Sequence, residues 1–157
     1  QATPFFTTGE NPPRMGNEHA QVSAYGVFPV ADGKVVLAPA NDGLFRRLLA
    51  LLGRGDLLGD ERFATNESRL ANRAELDAMI AAETGKWQLA ELLGACGEAG
   101  IPAGPINPID AVFADPQVRE RGMRIELDGI AGVRSPFTFS DAELALDHPS
   151  PRKGEHG

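Results

Sequence analysis

Two short apolar runs separated by a tight turn constrain the fold of this chain most. Residues 25–30 are rich in aromatic and β-branched side chains, residues 31–34 supply a turn, and residues 34–38 form a second apolar run. Glycine accepts the positive φ that a tight turn needs, so Asp32-Gly33 between these runs predicts an antiparallel β-hairpin. Pro29 has no amide hydrogen to donate, which predicts that the first strand lies at a sheet edge or contains a bulge.

Apolar residues recur with helical spacing after the hairpin. The pair Asn41-Asp42 offers an N-cap to an amphipathic helix that Gly53 ends. Asn72-Arg73-Ala74-Glu75 matches a capping box and predicts the start of another helix, because the Asn72 side chain would bind the N3 amide while Glu75 reaches back. Further helices are predicted at residues 88–96 and 109–113.

The last third of the chain changes to a period of two. Met123, Ile125 and Leu127 alternate with polar residues and predict a half-buried strand, and Asp128-Gly129 marks a turn before a short returning strand at residues 130–133. Strands and helices do not alternate as βαβ units, so the predicted class is α+β. We expect a small domain with a β-hairpin, further antiparallel strands and about three to four helices, flanked by irregular linkers.

The two ends of the chain predict the domain organisation. Pro4, Pro12 and Pro13 disfavour regular structure, so the first residues are expected to form an extended linker. The expected parts are residues 1–24, a linker and candidate active-site loop; residues 25–147, the α+β small domain; and residues 148–157, a linker that returns toward a large domain absent from this chain.

Composition and charge exclude several classes of function. The chain has 157 residues, of which 42% are hydrophobic, which suits one modest domain. A net charge of −7 opposes nucleic acid as a partner. One cysteine, Cys96, cannot form an intrachain disulfide and is expected to be a buried small hydrophobe. No Cys/His spacing indicates a metal, and no apolar run is long enough for a membrane span, so a cytoplasmic location is expected.

The segment at residues 14–26 is the candidate functional loop. It mixes flexible, hydrogen-bonding and aromatic residues just before the hairpin, a composition suited to a loop that closes over a ligand. An ordinary polar connector is the alternative interpretation of the same composition.

Four ordered segments resemble the class III CoA-transferases, a family that includes formyl-CoA transferase, carnitine CoA-transferase and α-methylacyl-CoA racemase. The segments are residues 16–19 with 25–28 (Gly-Asn-Glu-His and Tyr-Gly-Val-Phe), residues 60–66 (Asp-Glu-Arg-Phe-Ala-Thr-Asn) with Arg69 and Asn72-Arg73, residues 99–105 (Ala-Gly-Ile-Pro-Ala-Gly-Pro), and residues 154–156 (Gly-Glu-His). Together they extend over nearly the whole chain, in the linker and small-domain portion of the family.

The resemblance implies that this chain is part of an enzyme whose catalytic residue lies outside the chain. In that family a large Rossmann-like domain carries an aspartate that attacks an acyl-CoA, so no catalytic residue is expected in this chain. Coenzyme A or acyl-CoA is the implied substrate, without a metal. The implied partners are a large domain or subunit of the same enzyme, the acyl-CoA and a carboxylic acid, and a homodimer is a further option. Gly16, Asn17, His19 and Tyr25 are the candidate active-site residues, which would help close the site.

Two alternatives remain open at this point. The chain could be the small domain of an α-methylacyl-CoA racemase, since small-domain residues do not separate the two reactions. It could instead be a non-catalytic interaction module. In formyl-CoA transferase a glycine-rich loop occupies the position of residues 18–23 and shields the reactive intermediates, whereas the loop here is not glycine-rich. Exclusion of water is the role that the resemblance implies for it.

Overall fold

The computed structural model describes residues 2–11, 13–151 and 153–155. The chain divides into two compact units, Gln1–Ile106 and Asn107–Gly157. The first unit contains helix α1 (Ala2–Thr8), strands β1 (Gly26–Val30) and β2 (Gly33–Leu37), helix α2 (Asp42–Leu51), a 3₁₀ helix (Gly55–Gly59), helices α3 (Asn66–Ala71), α4 (Arg73–Thr84) and α5 (Leu89–Glu98), and strand β3 (Ala103–Pro105). The second contains helices α6 (Ile109–Ala114) and α7 (Pro116–Glu120) and strands β4 (Arg124–Leu127) and β5 (Ile130–Val133).

The predicted hairpin is the centre of the first unit. Strands β1, β2 and β3 form an antiparallel sheet in that order, with Val30 paired to Gly33 across the turn and β1 at an edge. The turn residues are therefore Ala31 and Asp32, and Gly33 does not adopt a positive φ. Contacts with the start of α5 and the residues just before it hold this turn instead: the Ala31 amide donates to the Trp87 carbonyl at 2.9 Å, and the Asp32 carboxylate accepts from the Leu89 amide at 2.8 Å.

One apolar cluster packs the helices against this sheet. Val35 and Leu37 point from β2 into it, and α2, α4 and α5 bury their apolar stripes there. The buried residues of those helices are Phe45, Leu48, Leu49, Leu76, Ile80, Leu92 and Cys96. Cys96 is fully buried, and burial raises the pKa of its thiol. The prediction that it is a small core residue therefore holds.

Arg69 is buried at the edge of this core. Its guanidinium donates to the Phe63 carbonyl at 3.1 Å and to the Asp42 carboxylate at 2.6 Å, and it lies 4.3 Å from the centre of the Phe45 ring. The Arg69 hydrogen bond and charge lower the pKa of Asp42. Arg69 therefore joins α3 to the start of α2 and to the loop before α3.

The second unit is organised by its own hairpin. Strands β4 and β5 pair antiparallel with Leu127 opposite Ile130, and the turn residues Asp128 and Gly129 have φ of 49° and 76°. Positive φ at both positions matches the type I′ turn that Asp-Gly favours. Before this hairpin, the Asp115 side chain caps α7 by accepting from the Gln117 and Val118 amides.

The α+β class and the hairpin are confirmed, and the structure adds short helices to the four that the sequence predicts. One of these is a correction: residues 2–8 form helix α1 where an extended linker is predicted. Pro4 falls in the first turn, where an amide hydrogen has no helical partner, so proline is tolerated there. The boundaries predicted after residues 24 and 147 stay predictions, and Gln1, Pro12, Arg152, His156 and Gly157 lie outside the described residues.

The capping box predicted at Asn72 is wrong. The Asn72 side chain accepts no cap hydrogen bond and donates to the carbonyls of Arg62 and Ser68. The capping box lies one helix earlier, where the Thr65 and Ser68 side chains bond reciprocally to each other's amides at the start of α3. The N-cap predicted at Asn41-Asp42 is confirmed and is Asn41, because its side chain accepts from the Leu44 amide at 2.9 Å.

We predict that Arg69→Ala lowers the free energy of unfolding of the first unit by about 2–4 kcal/mol, because it removes buried hydrogen bonds and leaves a cavity. Urea unfolding followed by the fluorescence of Trp87, the single tryptophan, measures this change. Arg46→Ala is the control, since exposed Arg46 on α2 should change stability by only about 0.5 kcal/mol. Equal losses in both variants would contradict the anchoring role of Arg69.

Candidate functional site

Residues 13–25, here called the N-terminal loop, lead into β1 and contain the four predicted site residues. The loop begins with a tight turn in which the Glu18 amide donates to the Met15 carbonyl at 3.0 Å. Gly16 has φ of +58° at the first central position, and Asn17 keeps a negative φ, as in a type II′ turn. Glycine is therefore required at position 16 by the backbone rather than by a crowded surrounding.

This turn forms one wall of a groove of about 400 Å³. The other wall is the β1–β2 hairpin, and the groove is lined by Met15, Gly16, Asn17, Glu18, Val27, Phe28, Pro29 and Lys34. Polar groups of the turn and the cationic side chain of Lys34 thus border an apolar floor. Such a lining can hold a ligand that has both an apolar body and an anionic end.

His19 and Tyr25 form a second feature of the loop. Their ring centres are 5.1 Å apart with the planes tilted by 47°. The His19 Nδ1 atom accepts from the Gln21 amide at 3.1 Å, so the neutral ring carries its proton on Nε2. His19 is exposed and Tyr25 is half-buried, which leaves this Nε2–H available to donate to a carbonyl or carboxylate.

Two side chains from outside the loop anchor it. Arg73, at the start of α4, donates to the Glu18 carboxylate at 3.2 Å, to the His19 carbonyl at 2.7 Å and to the Val22 carbonyl at 3.4 Å. Asn66, in the first turn of α3, donates to the Gln21 carbonyl at 2.8 Å and accepts from the Ser23 amide at 3.2 Å. These contacts span the stretch from Glu18 to Ser23.

The end of the loop has an unfavourable local conformation. Ala24 has φ of 71°, in the left-handed region that a residue with a Cβ rarely adopts, and it is 1% exposed. The adjacent Ser23 is also buried, and its hydroxyl oxygen has no hydrogen-bond partner among the residues that the structure describes. Both features cost free energy that the surrounding contacts must offset.

A half-buried carboxyl group adjoins the Arg73 anchor. Asp77 lies one helical turn after Arg73 on α4. Burial raises the pKa of Asp77, the positive charge of Arg73 opposes this rise, and the negative charge of Glu18 adds to it. The charge of Arg73 therefore acts on two carboxyl groups, those of Glu18 and Asp77, and its guanidinium is hydrogen-bonded to that of Glu18.

The structure separates the four predicted site residues into two groups. Gly16 and Asn17 border the groove, whereas His19 and Tyr25 form the ring pair. The assignment of these residues to closure of an active site stays a prediction. Sequence reasoning missed Arg73, Asn66 and Lys34 as parts of the site, although Asn66 and Arg73 stand within the family-like segment at residues 60–73.

Within residues 2–11, 13–151 and 153–155, no group of three or more His, Cys, Asp or Glu side chains could hold a metal ion. None of the helices in the same part of the chain combines the length and the apolar character that a membrane crossing requires.

The chain belongs to CoA-transferase family III, whose family model matches residues 1–157. A succinate–glutarate CoA-transferase from Agrobacterium fabrum is 46% identical over 157 residues, an alignment that covers 97% of this chain and 39% of the relative. An acetyl-CoA:oxalate CoA-transferase from Acetobacter aceti is 31% identical over 154 residues, with 98% of this chain and 40% of the relative covered.

A solved structure gives the same result. A CAIB/BAIF family protein from Brucella suis superposes with a TM-score of 0.83 at 48% identity, covering 100% of this chain and 42% of that protein. The chain therefore spans about two fifths of the length of the relatives that it matches. The family resemblance and the α+β class predicted from the sequence are confirmed.

We predict that Asp77→Asn stabilises the first unit near neutral pH. A carboxyl whose pKa is raised on folding contributes stability that is fully present below its unfolded value, 3.8, and lost as pH rises through the folded value. The advantage of the variant should therefore be absent below pH 3.8 and grow above it. Thermal unfolding followed by Trp87 fluorescence across this range measures the difference.

Glu61→Gln, which neutralises an exposed carboxyl group, is the control and should leave the pH profile unchanged. A variant at position 77 that equals the parent at low pH, where both side chains are neutral, but becomes less stable than the parent as the pH rises would show that attraction to Arg73 outweighs burial.

Proposed function

We propose that this chain is the small domain of a CoA-transferase that moves CoA between an acyl-CoA and a carboxylic acid. The observation that supports this most is the match of the family model to residues 1–157, together with 46% identity to a succinate–glutarate CoA-transferase. The matched relatives are named for CoA transfer, which favours transfer over racemisation. By the same identity, dicarboxylic acids of the size of succinate and glutarate are the proposed substrates.

The proposed reaction uses an aspartate on a large domain outside this chain. Its carboxylate attacks the donor thioester and releases CoA as the thiolate, which leaves a mixed anhydride; the thiolate then attacks the aspartyl carbonyl and releases the donor acid. The acceptor carboxylate next attacks the carbonyl of this aspartyl thioester, which releases the CoA thiolate and forms a second mixed anhydride. The thiolate then attacks the acyl carbonyl of the acceptor, which forms the product thioester and releases the aspartate. The complete cycle neither consumes nor releases water, so the site must exclude water between the steps.

The proposed contribution of this chain is geometric. The N-terminal loop presents the Nε2–H of His19 and the half-buried ring of Tyr25, and the groove beside Gly16 and Asn17 receives part of a substrate. Lys34 at the border of this groove offers a positive charge to a carboxylate. None of these groups is proposed as the nucleophile.

A hybrid enzyme tests this function. The segment of the A. fabrum enzyme that aligns with this chain is replaced by the 157 residues, so that a complete large domain is present. We expect transfer of CoA from succinyl-CoA to glutarate within about 100-fold of the unmodified enzyme, a loss of no more than about 3 kcal/mol in transition-state stabilisation. Product formation is measured by separating the two thioesters chromatographically.

The aligned segment of the A. aceti oxalate enzyme, placed in the same position, is the control. It should favour oxalate over glutarate if this part of the chain contributes to acceptor choice. A folded hybrid that binds succinyl-CoA but transfers CoA to no carboxylic acid would refute the proposed function.

A further inference from the structure

The N-terminal loop is tied to the helices by the side chains of Arg73 and Asn66, which lie outside the lining of the groove. Arg73 bonds three successive parts of it, the Glu18 carboxylate and the carbonyls of His19 and Val22. We propose that Arg73 is a positioning residue that fixes this loop as a rigid wall of the acyl-CoA site and so limits hydrolysis of the thioester. The substrate named in this proposal rests on the proposed function, whereas the anchoring of the loop by Arg73 does not depend on it.

The geometry of the guanidinium suits this task. The Arg73 side chain is only 12% exposed, and its two terminal nitrogens diverge toward different acceptors, Nη1 to Glu18 and Nη2 to both carbonyls. A planar fork of donors can satisfy acceptors in two directions at once, whereas a lysine ammonium is a single point on a flexible stem. A lysine at position 73 would therefore hold part of the loop and release the rest.

The loop would not hold this conformation by its own preference. Ala24 occupies the left-handed region, and the buried Ser23 hydroxyl bonds to none of the described residues, so the segment is strained just where it enters β1. Contacts with Arg73 and Asn66 are the polar interactions that span residues 18–23 and offset this cost. Loss of Arg73 should thus release the whole stretch rather than one residue.

A fixed loop matters for the chemistry because water competes with the acceptor acid. Transfer converts one thioester into another, whereas hydrolysis adds water to the same carbonyl and yields a free acid and CoA thiol. A loop that opens often admits water to the reacting carbonyl, so the ratio of hydrolysis to transfer reports its closure. His19 and Tyr25 would lose their fixed orientation at the same time.

Hydrogen exchange of the 157-residue chain tests the anchoring. The Gln21 and Ser23 amides are protected by His19 Nδ1 and Asn66 Oδ1, and Arg73 bonds neither of them directly. In Arg73→Ala we expect both amides to exchange about 10-fold faster or more, since the loop that presents them is released. Arg73→Lys should give an intermediate rate.

Arg62→Ala is the matched control. Arg62 lies in the same region, and among the described residues its carboxylate partners are Asp60 and Glu75, which are outside the loop. It should leave the Gln21 and Ser23 exchange rates unchanged. If Arg73→Ala does not fold, Arg73→Lys decides the question: one ammonium group cannot hold all three acceptors, so the Gln21 and Ser23 amides should still exchange faster than in the parent, and unchanged rates would overturn the anchoring.

The hybrid enzyme described above tests the consequence for the reaction. Arg73→Ala should raise the ratio of succinyl-CoA hydrolysis to CoA transfer by about 10-fold, and Arg73→Lys should restore part of the selectivity. Unchanged exchange at Gln21 and Ser23, or a rise equal to that of the core amides of α5, would overturn the anchoring. Faster loop exchange with an unchanged ratio would overturn the role in water exclusion. Failure of the unaltered hybrid to transfer CoA would instead refute the proposed function, and the exchange rates would still decide the anchoring.

Discussion

Packing of α4 and α5 against one face of a three-stranded sheet, with α2 packed on α5 in the same apolar cluster, is the interaction on which the rest of the first unit depends. In the described part of the chain every buried residue lies at or before Ile101, within this unit. Leu76 and Ile80 bury one stripe of α4, and this fixes the direction in which Arg73 at the start of the same helix points. The geometry of the N-terminal loop is therefore set by the core, although the loop itself is mostly exposed.

Two arginines on adjacent helices illustrate how burial decides the task of a side chain. Arg69 is almost completely enclosed, with a carbonyl, a carboxylate and an aromatic face around it, and it joins α3 to the start of α2 and to the loop before α3. Arg73 is slightly more exposed and reaches a segment that lies about 50 residues away in the sequence. The first contact stabilises the fold, and the second gives shape to a segment with few apolar contacts of its own.

The sequence predicts the elements whose causes are local. The hairpin, the Asn41 cap and the Asp128-Gly129 turn follow from residue types at fixed spacing, and all three are present. Asn72 shows the limit of such reasoning, because a side chain with two donors and an acceptor fits several local motifs and only tertiary contacts choose among them. The anchors of the loop could not be predicted at all from spacing, since Arg73 meets its acceptors only after α4 packs on the sheet.

The chemistry that the loop offers is limited by the same contacts that order it. Glu18 is the carboxylate that borders the groove, and its ion pair with Arg73 engages one carboxylate oxygen, which makes it a weaker nucleophile than a free carboxylate. The Nδ1 atom of His19 already accepts a hydrogen bond from the Gln21 amide, so the remaining role of this ring is donation from Nε2 rather than proton abstraction. A loop built in this way orients a substrate and excludes water, and under the proposed function it must rely on a nucleophile supplied by another part of the enzyme.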